Sequence, residues 1–161
     1  TAHYLAIGAE PAILAPGEGI GGVDALFLPG GDPSLLVSTA CGSRSWTEAR
    51  DGWQAGRAAL AGSSAGAMAL WEQCLFPTPG ADVPTAWSDG LGPLRGGALA
   101  VHAASRPESW LEDVGARAPV DVLAMDEGTA LLLRPGRAPL ALGGGAVTRF
   151  PAAAPVASVP G

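Results

Sequence analysis

The sequence predicts an α/β protein built on a mainly parallel sheet. Short apolar segments alternate along the chain with segments that have helical features, and glycine and proline separate them. The 161 residues are 48% hydrophobic and only 15% charged, a composition that excludes an intrinsically disordered chain. This length fits one domain with a real core, so we expect residues 1–161 to form a single domain.

The first half of the chain contains one clear strand-to-helix signal. Residues 23–28 are a compact apolar run that ends at Pro29-Gly30-Gly31, which is typical of a buried strand. Asp32 then serves as an N-cap with Pro33 at the first helical position, which predicts a helix over 34–40. The other elements predicted here are a short strand over 4–7, helices over 46–55 and 67–75, and a strand over 58–61.

Strands dominate the predictions for the second half. Turn-forming residues prevail over 77–97, and the apolar segment over 98–102 predicts a strand that leads into a loop. The remaining predictions are a short helix over 110–116 and strands over 120–125, 129–133, 140–142 and 147–150.

Charge and cysteine content limit the partners that we expect. The nine basic residues, all arginine, face fifteen acidic ones, and the net charge of −6 argues against nucleic acid or an anionic membrane surface. No apolar run approaches the roughly 20 residues of a membrane-spanning helix. Cys41 and Cys74 have no cysteine or histidine at metal-ligand spacing. We therefore expect no metal or other cofactor, and, with no signal peptide visible, a cytoplasmic protein.

One local pattern carries chemistry. Ser64 lies between Gly62 and Gly66, after a predicted strand and before a predicted helix. A serine on such a sharp turn needs glycine on both sides, and the turn exposes the hydroxyl as a nucleophile. The alternative is a plain strand–helix turn in which Ser63 or Ser64 caps the helix.

A nucleophilic serine needs a base and an acid that orients it. His102 ends an apolar strand and opens a loop, whereas His3 lies in a poorly defined terminus, so His102 is the candidate base. Spacing alone does not choose the acid among five carboxylates, namely Asp82, Asp89, Asp121, Asp126 and Glu127.

Three segments together resemble a known family. They are Pro29-Gly30-Gly31-Asp32, Gly62-Ser63-Ser64-Ala65-Gly66-Ala67 and Asp126-Glu127-Gly128-Thr129-Ala130. In this order they are similar to the dipeptidase E/cyanophycinase family of serine peptidases over about residues 23–150. The resemblance implies a three-layer αβα fold of the class I glutamine amidotransferase type, with the N-terminal part shortened ahead of residue 23.

The resemblance also implies roles for individual residues. Ser64 matches the nucleophile, His102 the base and Asp82 the acid of a catalytic triad. The backbone amides of Gly31 and Ala65 match the oxyanion hole.

The resemblance also concerns two further carboxylates, Glu127 and Asp32. Glu127 aligns with a family glutamate that would act as a fourth carboxylate or bind substrate. Asp32 occupies a position where the family often has asparagine, so we expect the substrate pocket to differ from that of the family.

The resemblance implies a serine exopeptidase or dipeptidase that cleaves short peptides through an acyl-enzyme. A non-catalytic amidotransferase-like domain that binds a ligand or a partner is one alternative. An esterase of the α/β-hydrolase type is a weaker one, because that fold places its histidine far beyond the nucleophile. Arg44, Arg95 and Arg106 are candidates for binding a substrate carboxylate, and the five tryptophans fit either core packing or a homodimer interface.

Overall fold

The computed structural model describes residues 5–15, 17–78 and 86–152. The helices are α1 (Pro33–Ala40), α2 (Arg44–Gln54), α3 (Ala65–Ala69) and α4 (Glu108–Ala116), with a short 3₁₀ helix at Ala103–Ser105. The strands are β1 (Ala25–Leu28), β2 (Ala59–Gly62), β3 (Trp71–Phe76), β4 (Ala86–Asp89), β5 (Leu94–Val101), β6 (Val122–Met125), β7 (Thr129–Leu132), β8 (Leu140–Gly143) and β9 (Val147–Phe150). Within the described residues, no helix has both the length and the apolar character that crossing a membrane requires.

The chain divides into two compact units. The first draws on segments 1–26 and 39–60, and the second on segments 27–38 and 61–161. Strands β1 and β2 pair as a two-stranded sheet. The expectation of a single domain stays a prediction.

Helix α2 organises the first unit. It begins after Ser43, whose hydroxyl accepts a hydrogen bond from the Trp46 N–H and so satisfies one free amide of the first turn. Glu48, one turn further on, accepts hydrogen bonds from the Arg44 side chain at 2.7 Å and from the Ile20 N–H at 2.9 Å. This carboxylate therefore connects the loop that contains Ile20, before β1, to helix α2.

The second unit contains a five-stranded sheet in the order β4-β3-β5-β6-β9. The β3–β5 and β5–β6 pairs are parallel, whereas the outer pairs β3–β4 and β6–β9 are antiparallel. The prediction of a mainly parallel sheet is therefore wrong, and the sheet is mixed. The physical reason is that a parallel pair needs a crossover connection, such as the one through α4 between β5 and β6, whereas β9 follows the β7–β8 strand pair and returns beside β6 in the opposite direction.

The core of this unit lies along β3, β5 and α4. Leu75 of β3, Val122 of β6 and Val114 of α4 are almost completely buried. Cys74 is also fully buried, and burial raises the pKa of its thiol to about 12, whereas Cys41 in the first unit is exposed. The buried central strands therefore hold in place the loops that follow β5 and β6.

The largest correction concerns residues 67–75, where the sequence predicts one helix. Helix α3 ends at Ala69, and strand β3 follows directly from Trp71. A short continuous apolar run fits a buried strand as well as a buried helix, and here pairing with β4 and β5 on both sides decides for the strand. The turn-rich stretch over 77–97 likewise contains β4 and the start of β5.

The other elements follow the sequence with small shifts. Helix α1 and strands β6 to β9 lie where they are predicted, and the Asp32 carboxylate accepts hydrogen bonds from the Ser34 and Leu35 N–H groups as an N-cap. Strand β1 is present, but Phe27 is 40% exposed and only Leu28 is buried, so the expectation of a buried strand is wrong. Residues 5 and 6 are helical, not extended.

Candidate active site

Ser64 lies on the turn between β2 and α3 in an unusual backbone conformation. Its φ of 52° and ψ of −117° are rarely adopted by residues with a side chain. Ser64 occupies the N-cap position of α3, but its hydroxyl makes no capping hydrogen bond to the helix. The hydroxyl is thereby available for another partner.

The flanking glycines make this turn possible. A Cβ on Gly62 would lie 2.4 Å from the carbonyl carbon of Gly66, and a Cβ on Gly66 would lie 2.1 Å from the Leu28 oxygen. Both distances are impossible for real atoms, so a side chain at either position would force the backbone apart. The predicted need for glycine on both sides of Ser64 therefore has a steric basis.

The end of β1 lies against the same turn. The Ser63 N–H donates to the Leu28 carbonyl at 3.0 Å, and a Cβ on Gly30 would approach the Ser64 Cβ to 3.3 Å. A side chain at Gly30 would be crowded by the serine, whereas a side chain at Gly31 would meet open space but would be strained by the φ of 144°. The two glycines at the end of this strand therefore have different physical reasons.

His102 follows β5 directly and faces Ser64. Its φ of 63° and ψ of 35° place it in the left-handed helical region, where the chain turns into the 3₁₀ helix. Its Nε2 lies 3.2 Å from the Ser64 Oγ, although the two residues are 38 positions apart in the sequence. The buried strand β5 holds the backbone of the histidine, and the side chain remains 44% exposed.

Glu127 lies on the other side of the imidazole, in the turn between β6 and β7. Its Oε1 is 3.4 Å from the His102 Nδ1, longer than a well-formed hydrogen bond but within ion-pair distance. The Ser105 hydroxyl also donates to this oxygen. This hydrogen bond is the main reason that the pKa of the Glu127 carboxyl lies below its usual range, with the positive field of His102 adding to it.

The other candidate acids have different surroundings. Asp89 accepts a hydrogen bond from Gln73, Asp121 pairs with Arg149, and Asp126 accepts the Ala146 N–H. Asp82, the acid that the family resemblance implies, lies outside the described residues. Among the described carboxylates, Glu127 is therefore the one in contact with the imidazole.

The backbone amides of Gly31 and Ala65 are the groups that the family resemblance implies for the oxyanion hole. Gly31 lines the same cleft as Ser64, and Ala65 is the next residue along the chain. Within the described part of the chain, neither N–H group donates to another backbone or side-chain atom. A backbone N–H group without a partner can stabilise negative charge on a substrate oxygen when the two lie within hydrogen-bond distance.

A cleft of about 350 Å³ opens at Ser64 and His102, and every residue that lines it belongs to the second unit. A cavity of this size fits a small ligand rather than a folded protein. Its lining is partly apolar and partly charged: Gly31, Asp32, Pro33, Met68, Leu75, Pro77, Val101, Arg106 and Trp110 surround the serine and the histidine.

Sequence reasoning did not single out two of the polar contributors. Ser105, three positions after His102, has no pattern that predicts its contact with Glu127. Arg106 was one of three arginines that the sequence could not separate, and its position in the cleft distinguishes it. Among the described residues, no group of three or more histidine, cysteine, aspartate or glutamate side chains is arranged to hold a metal.

Comparison with solved structures identifies a protein of similar fold. The chain is similar to the crystal structure of a peptidase from an acI-B1 Actinobacterium, with a TM-score of 0.62 and 24% sequence identity. The match covers 80% of this chain and 57% of the peptidase, so the chain spans little more than half the length of that protein. No protein-family model matches the sequence, and no curated protein matches it significantly. The chain thus shares with a known peptidase a mixed α/β fold with a central sheet, while the amidotransferase-like class stays a prediction.

Proposed function

We propose that this protein is a serine peptidase that hydrolyses short peptides, with Ser64 as the nucleophile and His102 as the general base. One observation carries the proposal: the Ser64 Oγ lies 3.2 Å from the His102 Nε2 on a strained turn. An activated serine typically has its hydroxyl within hydrogen-bond distance of a base from a distant part of the chain. The Ser64 hydroxyl has such a base in His102 and makes no capping hydrogen bond to the helix. The peptidase of similar fold is consistent with this chemistry.

The reaction follows from these positions. His102 Nε2 takes the hydroxyl proton while the Ser64 oxygen attacks the peptide carbonyl carbon, and the N–H groups of Gly31 and Ala65 stabilise the oxyanion. The tetrahedral intermediate collapses as the C–N bond breaks, and His102 returns the proton to the leaving amine. A water molecule, deprotonated by His102, then attacks the acyl carbon of the acyl-enzyme. The bond between that carbon and the Ser64 oxygen breaks, His102 returns the proton to the Ser64 oxygen, and the second product leaves as a carboxylic acid.

The imidazolium that forms during each step needs a stabilising anion. We assign this role to Glu127, because its carboxylate contacts the Nδ1 side of His102 and its pKa lies below the usual range, which keeps it ionised at neutral pH. The family resemblance favours Asp82 instead. Substitutions to the neutral amides, Glu127→Gln and Asp82→Asn, compare the two directly, since the acid that acts on His102 gives the larger loss of kcat.

The size of the cleft supports short peptides as substrates. About 350 Å³ accommodates a dipeptide or the end of a chain, but not an extended segment of a folded protein. We therefore propose exopeptidase or dipeptidase activity rather than cleavage within proteins.

The decisive experiment compares Ser64→Ala with Ser63→Ala. The two serines are neighbours, but Ser63 is exposed and its side chain does not line the cleft. A fluorophosphonate probe should label the parent and the Ser63→Ala variant and should fail to label Ser64→Ala. Screening a library of dipeptides and tripeptides by mass spectrometry should show a loss of at least about 10³-fold in kcat for Ser64→Ala alone.

Retained hydrolysis or labelling in the Ser64→Ala variant would exclude Ser64 as the nucleophile. An unlabelled parent protein that cleaves no peptide would favour a binding domain instead. Circular dichroism of all three proteins checks that both substitutions leave the fold intact.

A further inference from the structure

The hairpin formed by β7 and β8 has one face on the core of the second unit. Within the described residues, these two strands pair only with each other, as an antiparallel two-stranded sheet. Side chains alternate between the two faces of such a sheet. Leu131, in β7, and Leu133, just after it, pack against the hydrophobic core. This contact holds the hairpin in place and leaves its other face outward.

The outward face of the hairpin is apolar. Ala130 pairs with Leu142, and Leu132 pairs with Leu140, so these four side chains lie on the same face. The exposed fractions are 37% for Leu132, 46% for Leu140 and 48% for Leu142. Single exposed leucines are common on protein surfaces, but leucines gathered on one face indicate a surface that another molecule covers.

The two ends of the hairpin carry opposite charges. Arg134 and Arg137 lie in the turn between β7 and β8, and neither forms an ion pair with an acid in the described part of the chain. Asp126 and Glu127 lie just before β7, at the other end. Residues 128–146 contain no acid, although the net charge of the whole chain is −6. The tip of the hairpin is therefore positive and its base is negative.

We propose that the β7–β8 hairpin docks on the same hairpin of a second copy of this chain, with the two leucine faces stacked across a two-fold axis perpendicular to the strands. A two-fold interface requires a surface that complements itself, and two apolar faces do so. This axis reverses the strand direction, so the positive tip of one hairpin lies over the negative base of the other. An axis parallel to the strands would place arginines against arginines.

The size of the hairpin determines how strong the association is. Each of its strands has four residues. Stable dimers bury roughly 800 Å² on each partner, which is more than the outward face of two such strands offers. We therefore expect a weak, reversible dimer with a dissociation constant of roughly 100 μM.

Sedimentation velocity of the full 161-residue chain tests the proposal without a substrate and independently of the proposed peptidase function. Over a range of about 10 μM to 1 mM, the weight-average mass should rise from that of a monomer toward that of a dimer. The concentration dependence gives the dissociation constant of each variant.

Two substitutions place a polar group on the leucine face. Leu142→Gln and Leu140→Gln should each weaken the dimer by about 10-fold or more, because both copies carry the change. Either variant suffices if the other does not fold, which circular dichroism checks. Leu35→Gln is the matched control, since Leu35 is 65% exposed on helix α1, outside the hairpin, and its substitution should leave the dissociation constant unchanged.

A third substitution tests the direction of stacking. Arg137→Gln should weaken the dimer about threefold more than Arg57→Gln, because two pairs of opposite charges are lost across the two-fold axis. Arg57 is an exposed arginine of the first unit, so its substitution changes the net charge equally.

Three results would overturn the proposal. A protein that stays monomeric at 1 mM would show that a different molecule covers the leucines. A dimer that Leu140→Gln and Leu142→Gln leave intact would place the interface elsewhere. An Arg137→Gln variant that associates as strongly as Arg57→Gln, or more strongly, would exclude the stacking of tip over base.

Discussion

The turns that carry Ser64 and His102 look alike but are built differently. Each residue lies within two positions of the end of a strand, and they are the two described residues other than glycine with a positive φ. His102 adopts the ordinary left-handed conformation, with a ψ of 35°. Ser64 has a ψ of −117°, outside that region. The backbone strain is therefore greater at the nucleophile than at the base.

The packing around the Ser64 turn is also tighter than the packing around the His102 turn. Backbone atoms of neighbouring segments lie where side chains of Gly62 and Gly66 would be, so the Ser64 turn tolerates no larger residue there. The His102 turn depends instead on the buried strand β5 before it and the 3₁₀ helix after it. One turn is specified locally by glycine and the other by the sheet behind it.

The largest expected effect is at the glycine that admits the Ser64 turn. Gly66→Ala should destabilise the protein by about 3 kcal/mol, because the new methyl group would collide with the Leu28 and Pro29 backbone. Chemical denaturation measures the change, and peptide hydrolysis should fall with it. Gly144→Ala is the matched control, since it meets open space without a positive φ and should change stability by less than about 0.5 kcal/mol. Equal effects of the two substitutions would contradict the steric explanation.

A comparison of glycine and alanine at both turns measures the strain itself. Replacing Ser64 with glycine should leave the protein about 2 kcal/mol more stable than replacing it with alanine, because glycine adopts this conformation freely. The same difference at His102 should be about 1 kcal/mol, since a left-handed residue is strained less. Thermal and chemical unfolding of the four variants provide the data. A larger difference at His102 would reverse the comparison.

The smallest effect concerns the acid beside His102. Ser105→Ala removes the hydroxyl that chiefly lowers the Glu127 pKa, so that pKa should rise toward its usual value of about 4.3. Because the Glu127 pKa is lower in the folded state than in the unfolded state, ionised Glu127 stabilises the folded protein at pH values above the unfolded-state pKa. This stabilisation disappears as the pH falls through the folded-state pKa. The parent should thus be more stable than Ser105→Ala at neutral pH, with a difference that shrinks below about pH 4.3.

NMR titration of the Glu127 carboxyl and denaturation at several pH values test this result. Ser38→Ala is the control, because the Ser38 hydroxyl donates to the Leu35 carbonyl and contacts no acid. A Glu127 titration that is the same in the parent and in Ser105→Ala would show that the hydroxyl does not act on the carboxylate.

Sequence reasoning performs best where chemistry is local. The glycines around Ser64 and the Asp32 N-cap follow from the sterics and hydrogen bonds of a few neighbouring residues, and both lie where they are predicted. Sequence reasoning fails where contacts between distant segments determine the secondary structure or the direction of a strand. Strand β3 fits a helix until its partners β4 and β5 are known, and the mixed sheet depends on pairings between distant segments.

The same distinction between local chemistry and contacts of distant segments applies to the candidate site. The proximity of Ser64 and His102 was inferred from the need of a serine for a base, not from any local signal. The contact of Glu127 with the imidazole and the position of Arg106 in the cleft depend on where the turn after β6 and the segment after β5 meet in space. Spacing along the chain contains no such information.

The contrast between the two cysteines has a practical consequence. The Cys74 thiol lies inside strand β3 with a pKa of about 12, so it stays protonated and out of reach of alkylating reagents near neutral pH. Cys41 is exposed on the first unit, and none of the cleft-lining residues belongs to that unit. A maleimide fluorophore can therefore be attached at Cys41 alone, and the buried thiol of the five-stranded sheet stays chemically untouched.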